Sequence, residues 1–179
     1  MLPDYLFKHV VKVEGEFVNH PMDKGGPTKW GITLGTLSSY RQRHTTVDDV
    51  GFLSETEAKL IYGSLYYEAN KINLIKSKKI LLILFDQCVL WGSIAAVKRM
   101  QRVLNLAPFH SKIEVDGFLG PRTLEILNTI DEDELSRYYI QKSQLDLVSV
   151  AVKDTTQLVF LKGWISRTHI LWNSLEGIT

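Results

Sequence analysis

Apolar residues recur along this chain at intervals of three and four, and the elements they predict are almost all helices. Between residues 4 and 14 the positions Tyr5, Leu6, Val10 and Val13, with Val11 among them, predict a first helix. Ser54 followed by Glu57 reads as a capping box. After it, Ala58, Ile61, Tyr62, Leu65, Tyr66 and Ala69 form one face of a helix that should turn to the core. The most apolar run, "ILLILFDQCVLWG" from Ile80 to Gly92, is too short to span a bilayer and carries Asp86, so it predicts a buried helix at the centre of the fold. Asp86 must then be paired or lie at a helix end, because an unpartnered buried carboxylate is expensive.

Beyond Gly92, Ala95, Val97, Met100, Val103 and Leu104 support another helix that ends before Pro108. "VDGFLGPRTLEIL" reads as a turn at Asp116-Gly117 and a helix opened by Pro121. Asp131 precedes a long helical pattern through Leu135, Tyr138, Leu145 and Val152, and Leu158 to Leu175, with Trp164 and Trp172, forms a last apolar helix. Strand signals are confined to a small hairpin around "WGITL". The fold class is therefore mainly α. The 179 residues suffice for a sizeable core, and the expected organisation is a region 1–92 and a region 93–179 packed on it as one compact unit.

Charge narrows the function classes. With 21 basic and 20 acidic residues, no global field points to nucleic acid or an anionic membrane. The single cysteine, Cys88, forms no internal disulfide, and the histidines at 9, 20, 44, 110 and 169 show no metal-ligand spacing, so no metal is expected. Neither a phosphate-cradling glycine loop after a strand nor a serine elbow appears, and no cofactor is expected. The start, "MLPDYLFKHVVKVEGEF", lacks the n-region, h-region and cleavage site of a signal peptide, so the chain is not expected to be Sec-targeted.

The chemistry concentrates in "VEGEFVNHPMDKGGPTKWGIT", residues 13–33. Glu14 ends an apolar helix and is followed by a Gly- and Pro-rich excursion, which sets an acid at the mouth of a cleft. Partial desolvation there disfavours the charged carboxylate and suits a general acid. Asp23, past the Asn19-His20-Pro21 turn, can return to face it. Two carboxyl groups in unlike surroundings are the minimum equipment for breaking a glycosidic bond. Thr28 or Thr33 would hold water or orient Asp23. The same residues also read as a solvated helix end, a turn and plain loop chemistry, and spacing alone does not choose between them. Trp30 and Tyr67 are candidates for stacking on sugar rings, whereas Tyr62 and Tyr66 lie on the apolar stripe and read as core.

This stretch closely resembles the E-G-G-Y-x-N-x-P-x-D-x-G-G-x-T-x-x-G-I-T motif of the glycoside hydrolase 108 family, phage and prophage N-acetylmuramidases related to endolysins. "IYGSLYYEANKI" resembles the family's Y-x-x-x-Y-W segment. "LFDQCVLWGSIAAVKRMQRVLNL", "VDGFLGPRTLEIL" and "GWISR" resemble the peptidoglycan-binding half that follows it. The resemblance implies a lysozyme-like helical fold, with 1–92 catalytic and 93–179 peptidoglycan-binding. It implies hydrolysis of the β-1,4 bond between N-acetylmuramic acid and N-acetylglucosamine, with bacterial peptidoglycan as partner. It makes Glu14 the catalytic acid, matches Asp23 and Thr28 to motif positions, and leaves Thr28 and Thr33 both open because lysozyme-type spacing sets the threonine one residue past Thr28. Glu16 in place of a second glycine, Phe17 in place of tyrosine and Leu90 in place of a common asparagine depart from the pattern and bear on substrate positioning. They leave a second reading open, a non-catalytic peptidoglycan-binding or secretion-accessory protein on the same fold. An enzyme of this kind would act in the periplasm or cell wall after passage through a holin-type hole or a dedicated export route.

Overall fold

The computed structural model describes residues 1–18 and 26–178, so Asp23 and the Asn19-His20-Pro21 turn lie outside the described residues. Its contacts divide the chain into two units, Met1–Leu65 and Tyr66–Thr179.

In the first unit, helix α1 (Asp4–Glu14) buries Leu6, Phe7, His9 and Val10 and stops where Gly15 adopts φ 74° and its N–H bonds the Val11 carbonyl. The predicted hairpin is present as β1 (Thr28–Lys29) and β2 (Ile32–Thr33), antiparallel, with Thr28 opposite Thr33 and Lys29 opposite Ile32. Helices α2 (Leu34–Arg41), α3 (Val47–Gly51) and α4 (Glu55–Tyr62) follow. Ser54 caps α4 by accepting from the Glu57 N–H, but the expected reciprocal half of the box is diverted. The Glu57 carboxylate instead takes a bidentate pair from Arg41 Nε and Nη2, both at 2.7 Å, because a charge-assisted fork outweighs a bond to one amide. The complete capping box belongs to Thr46 and Asp49 at the start of α3.

The helix expected through residue 69 ends early. The regular α-helix stops at Tyr62 and continues as a π-helical turn, Gly63–Glu68. The wider π turn rotates the apolar stripe off its 3.6-residue period, which leaves Leu65 42% exposed and Ala69 at the surface.

In the second unit, α5 (Lys78–Trp91) is buried continuously from Ile80 to Cys88 and packs against α6 (Ser93–Asn105), α8 (Glu132–Lys153) and α9 (Leu158–Glu176), the central place its composition predicts. Burial of Cys88 pushes its thiol up to about 12, so it is a packing residue and not a nucleophile. Asp86, 1% exposed, accepts from Arg167 Nη2 at 2.9 Å and from the Gln87 amide at 2.9 Å, which supplies the partner its position demands. Gly92 (φ 78°) separates α5 from α6, and Pro121 opens α7 (Pro121–Leu127) at its first turn.

Two apolar assignments shift. On α6 it is Ala96, not Ala95, that is buried, and on α8 the core positions are Leu135, Tyr139, Ile140, Leu147 and Ala151, whereas Leu145 is 64% and Val152 72% exposed. A helix with apolar residues on more than one side has no single stripe for the period to select. Among the described residues no helix is long and apolar enough to cross a membrane.

The Asp49 and Glu57 cluster carries a pH signature. Asp49 is held below the usual carboxylate range by Arg43 and by the Thr46 N–H and hydroxyl, and Glu57 by Arg41. Both folded values lie below their unfolded ones, so the stabilisation is complete above about pH 4 to 5 and drains as pH falls further. Melting temperature should drop through that acid range, and Asp49→Asn should be less stable at neutral pH with a flatter acid slope. A parallel slope in that variant would remove Asp49 from the effect.

Candidate active site

Glu14 sits half-buried at the last position of α1, and the hairpin turn closes against it. Trp30 and Gly31 are the two loop residues between the paired Lys29 and Ile32, with φ of 50° and 75°. Both central residues at positive φ make a type I′ turn, which matches the twist of the strands and ordinarily takes Asn-Gly. Gly31 satisfies it at no cost, whereas a tryptophan in this region is strained and must be held by its surroundings.

Three contacts hold it. The Tyr62 hydroxyl donates to the Trp30 carbonyl at 2.6 Å, Phe7 meets the indole edge-on with centroids 5.6 Å apart, and Lys29 Nζ lies 4.7 Å from the indole centroid. Lys29 in turn donates to the carbonyls of Gly51 and Leu53 at 2.8 and 2.9 Å, which ties the turn to the end of α3.

The consequence falls on Glu14. A Cβ on Gly31 would lie 2.9 Å from Glu14 Cγ, 3.0 Å from its Oε2 and 3.0 Å from the Tyr62 hydroxyl oxygen. The carboxyl group and the phenol therefore converge on one backbone position, and Gly31 itself is exposed, so this meeting point opens to solvent. Elsewhere in the unit an open cleft of about 620 Å³ runs along α2, lined by Thr36, Ser39, Tyr40 and Gln42.

The two threonines left open by the sequence differ in what they already do. Thr33 caps α2, its Oγ1 accepting from the Thr36 N–H at 3.1 Å and lying 3.0 Å from the Thr36 hydroxyl. Thr28 is half-buried directly across the hairpin, and its hydroxyl has no hydrogen-bond partner among the described residues. Its backbone pairs with that of Val18, four residues past Glu14, N–H to carbonyl in both directions at 2.8 and 2.9 Å. Thr33→Ala should cost about 1 kcal/mol of stability by loss of the cap, measured by denaturant unfolding, and an unchanged midpoint would contradict that role.

Among the predicted residues, Glu14 and the Trp30 turn meet in the first unit, as do Thr28 and Thr33 across the hairpin. Tyr67 is half-buried in the π-helical turn and belongs to the second unit. The position sequence reasoning missed is Gly31. Its signal was the "WG" pair between two threonine-bearing strands, a two-residue hairpin loop that needs positive φ twice. Tyr62 is core, 2% exposed as its stripe predicted, but it also supplies the hydroxyl that secures the turn.

Residues 7–92 match the model of glycosyl hydrolase 108, and residues 95–169 match that of a predicted peptidoglycan domain. The first half of the chain is thus similar to the glycosyl hydrolase 108 family. Its Glu14 and its hairpin fall inside the matched hydrolase span, so the chain is a glycoside hydrolase with a peptidoglycan domain behind it. Among solved structures it is similar to that titled "Structure of Brucella abortus SagA", at 28% identity over 94% of this chain and 91% of that one, with a TM-score of 0.72. The fold is accordingly mainly α and lysozyme-like, the class expected from the sequence. A search of the curated proteins returns no match.

Proposed function

We propose that this chain is a glycoside hydrolase 108 enzyme, an N-acetylmuramidase of the endolysin type, encoded by a phage or prophage, that cleaves the β-1,4 bond between N-acetylmuramic acid and N-acetylglucosamine. The observation that carries the reading is the convergence of the Glu14 carboxyl group and the Tyr62 hydroxyl on the exposed Gly31 of a strained, tightly held turn. A carboxyl group fixed by packing yet open on one side is what proton delivery to a glycosidic oxygen requires.

In this mechanism Glu14 protonates the leaving oxygen as the C–O bond breaks. Asp23 is the second carboxylate, either stabilising the oxocarbenium-like centre or activating the water that completes hydrolysis. Thr28, whose hydroxyl has no hydrogen-bond partner among the described residues, orients that water or Asp23, while Thr33 serves the helix cap. Trp30 and Tyr67 pack on sugar rings. The enzyme acts in the periplasm or cell wall, reached through a holin-type hole or a dedicated route.

Thr28→Ala should then lower kcat at least about tenfold, the scale of one lost positioning hydrogen bond, with stability within about 0.5 kcal/mol. Equal turnover would return Thr28 to a purely structural place. Glu16 tests the departures from the family pattern. Gly15 ends α1, and Glu16 is exposed beyond the helix. Glu16→Gly should leave activity within about tenfold, a barrier change of at most about 1.4 kcal/mol. A gain of several orders of magnitude would instead identify an attenuated enzyme and favour the non-catalytic reading.

The direct assay is zymography on purified cell walls. A clearing band supports hydrolysis, and sedimentation with walls without new reducing ends supports the wall-binding alternative.

A further inference from the structure

The second unit contains a cavity of about 460 Å³ that takes no part in the hydrolytic chemistry. One side is α6, which contributes Arg99 and Arg102, and the facing side is α8, which contributes Lys142 and Asp146. Spaced three apart, the two arginines project from one face of their helix. The walls between are apolar, formed by Val103, Leu106 and Val115. Leu106 and Val115 belong to a loop braced by Asn105, whose amide donates to the Ile113 carbonyl at 2.7 Å and accepts from the Ile113 N–H at 2.8 Å.

Charge in this cavity is unbalanced. Asp146 is paired with Lys142, Asp86 with Arg167 and Asp133 with Lys79. Arg99 and Arg102 have no carboxylate partner among the described residues. Arg99 is half-buried, its guanidinium 4.9 Å from the centre of the Trp91 ring, which orients the fork without neutralising it. A cation partly withdrawn from water and lacking a counter-charge costs free energy that an incoming anion recovers. Arginine's planar fork suits a carboxylate bidentately.

We propose that this cavity binds the peptide stem of peptidoglycan, with Arg99 and Arg102 on a free carboxylate and Val103, Leu106 and Val115 against the small aliphatic side chain beside it. The volume fits a short peptide. A stem peptide alternates small apolar side chains with carboxylates, which matches both the walls and the charge. A phosphate-rich wall polymer would leave the apolar walls unpartnered. The inference rests on peptidoglycan being the substrate and adds which part of it the second unit holds.

The test is calorimetric titration of the full chain carrying Glu14→Gln, which stops turnover, with a disaccharide-tetrapeptide and with the same disaccharide lacking peptide. The peptide-bearing ligand should bind at least about tenfold more tightly, the scale of one charged hydrogen-bonded pair. Adding Arg99→Gln and Arg102→Gln together should erase that preference. Arg102→Gln alone, at an exposed position where folding is not at risk, should reduce it at least about threefold. Equal binding of both ligands, a preference that survives in the arginine variants, or tighter binding of poly(glycerol phosphate) than of the peptide would overturn the proposal. Release of reducing ends from peptide-free glycan strands by the native chain is scored separately. Hydrolysis without peptide preference would sink this inference alone, and peptide preference without hydrolysis would sink the proposed activity alone.

Discussion

Glu14→Gln should lose at least about a hundredfold in turnover while still sedimenting with cell walls, because glutamine keeps the size and hydrogen bonding of glutamate but has no proton to give. That loss corresponds to about 2.7 kcal/mol of transition-state stabilisation. Folding should be unaffected, since the side chain lies half-buried at a helix end against an exposed glycine and the substitution is nearly isosteric. The measurement is the initial rate of reducing-end release at saturating substrate, with melting temperature alongside. Turnover within about threefold of the native chain would take Glu14 out of the mechanism.

The second large effect is expected from a residue with no functional group. Gly31→Ala places a methyl group 2.9 Å from Glu14 Cγ and 3.0 Å from both Glu14 Oε2 and the Tyr62 hydroxyl, closer than unbonded atoms tolerate. It also asks alanine to hold a φ of 75°, itself about 1 to 2 kcal/mol. The turn cannot easily yield, because the Tyr62 bond to the Trp30 carbonyl and the two Lys29 bonds pin the residues that lead into Gly31. Glu14 must therefore move. A shift of about 1 Å in a proton donor costs on the order of a hundredfold, so Gly31→Ala should approach Glu14→Gln in kcat with KM changed far less. Tyr62→Phe separates the parts: it removes the bond that holds Trp30 but leaves room for Glu14, and should fall between the native chain and Gly31→Ala. A Gly31→Ala chain with native kcat would show that the turn does not position the acid.

Much of this arrangement was legible in the sequence, and what was not has physical reasons. The first helix was readable because Leu6 and Val10 are four apart on a buried face and Gly15 stops the helix at Glu14. The need of Asp86 for a partner followed from its place in the most apolar run, but that the partner is Arg167, 81 residues away, is a tertiary fact no local pattern encodes. The helix from Ser54 was overextended because Leu65 and Ala69 keep the hydrophobic period while a π turn at Gly63 rotates them outward. At the site, motif order pointed to Glu14, Thr28 and Thr33, but which hydroxyl serves a helix cap depends on where α2 begins. The place of Gly31 was hidden for a related reason. A glycine's role is set by what approaches it, and Glu14, seventeen residues earlier, is nearby only once the hairpin has closed.

The most direct test of the central claim is to digest purified peptidoglycan with the native chain, reduce the products with borohydride and identify the reduced sugar by mass spectrometry. New reducing ends should appear on N-acetylmuramic acid and be absent from a parallel Glu14→Gln digest. Reducing ends on N-acetylglucosamine, or none above the control while the protein stays bound to the walls, would contradict that claim.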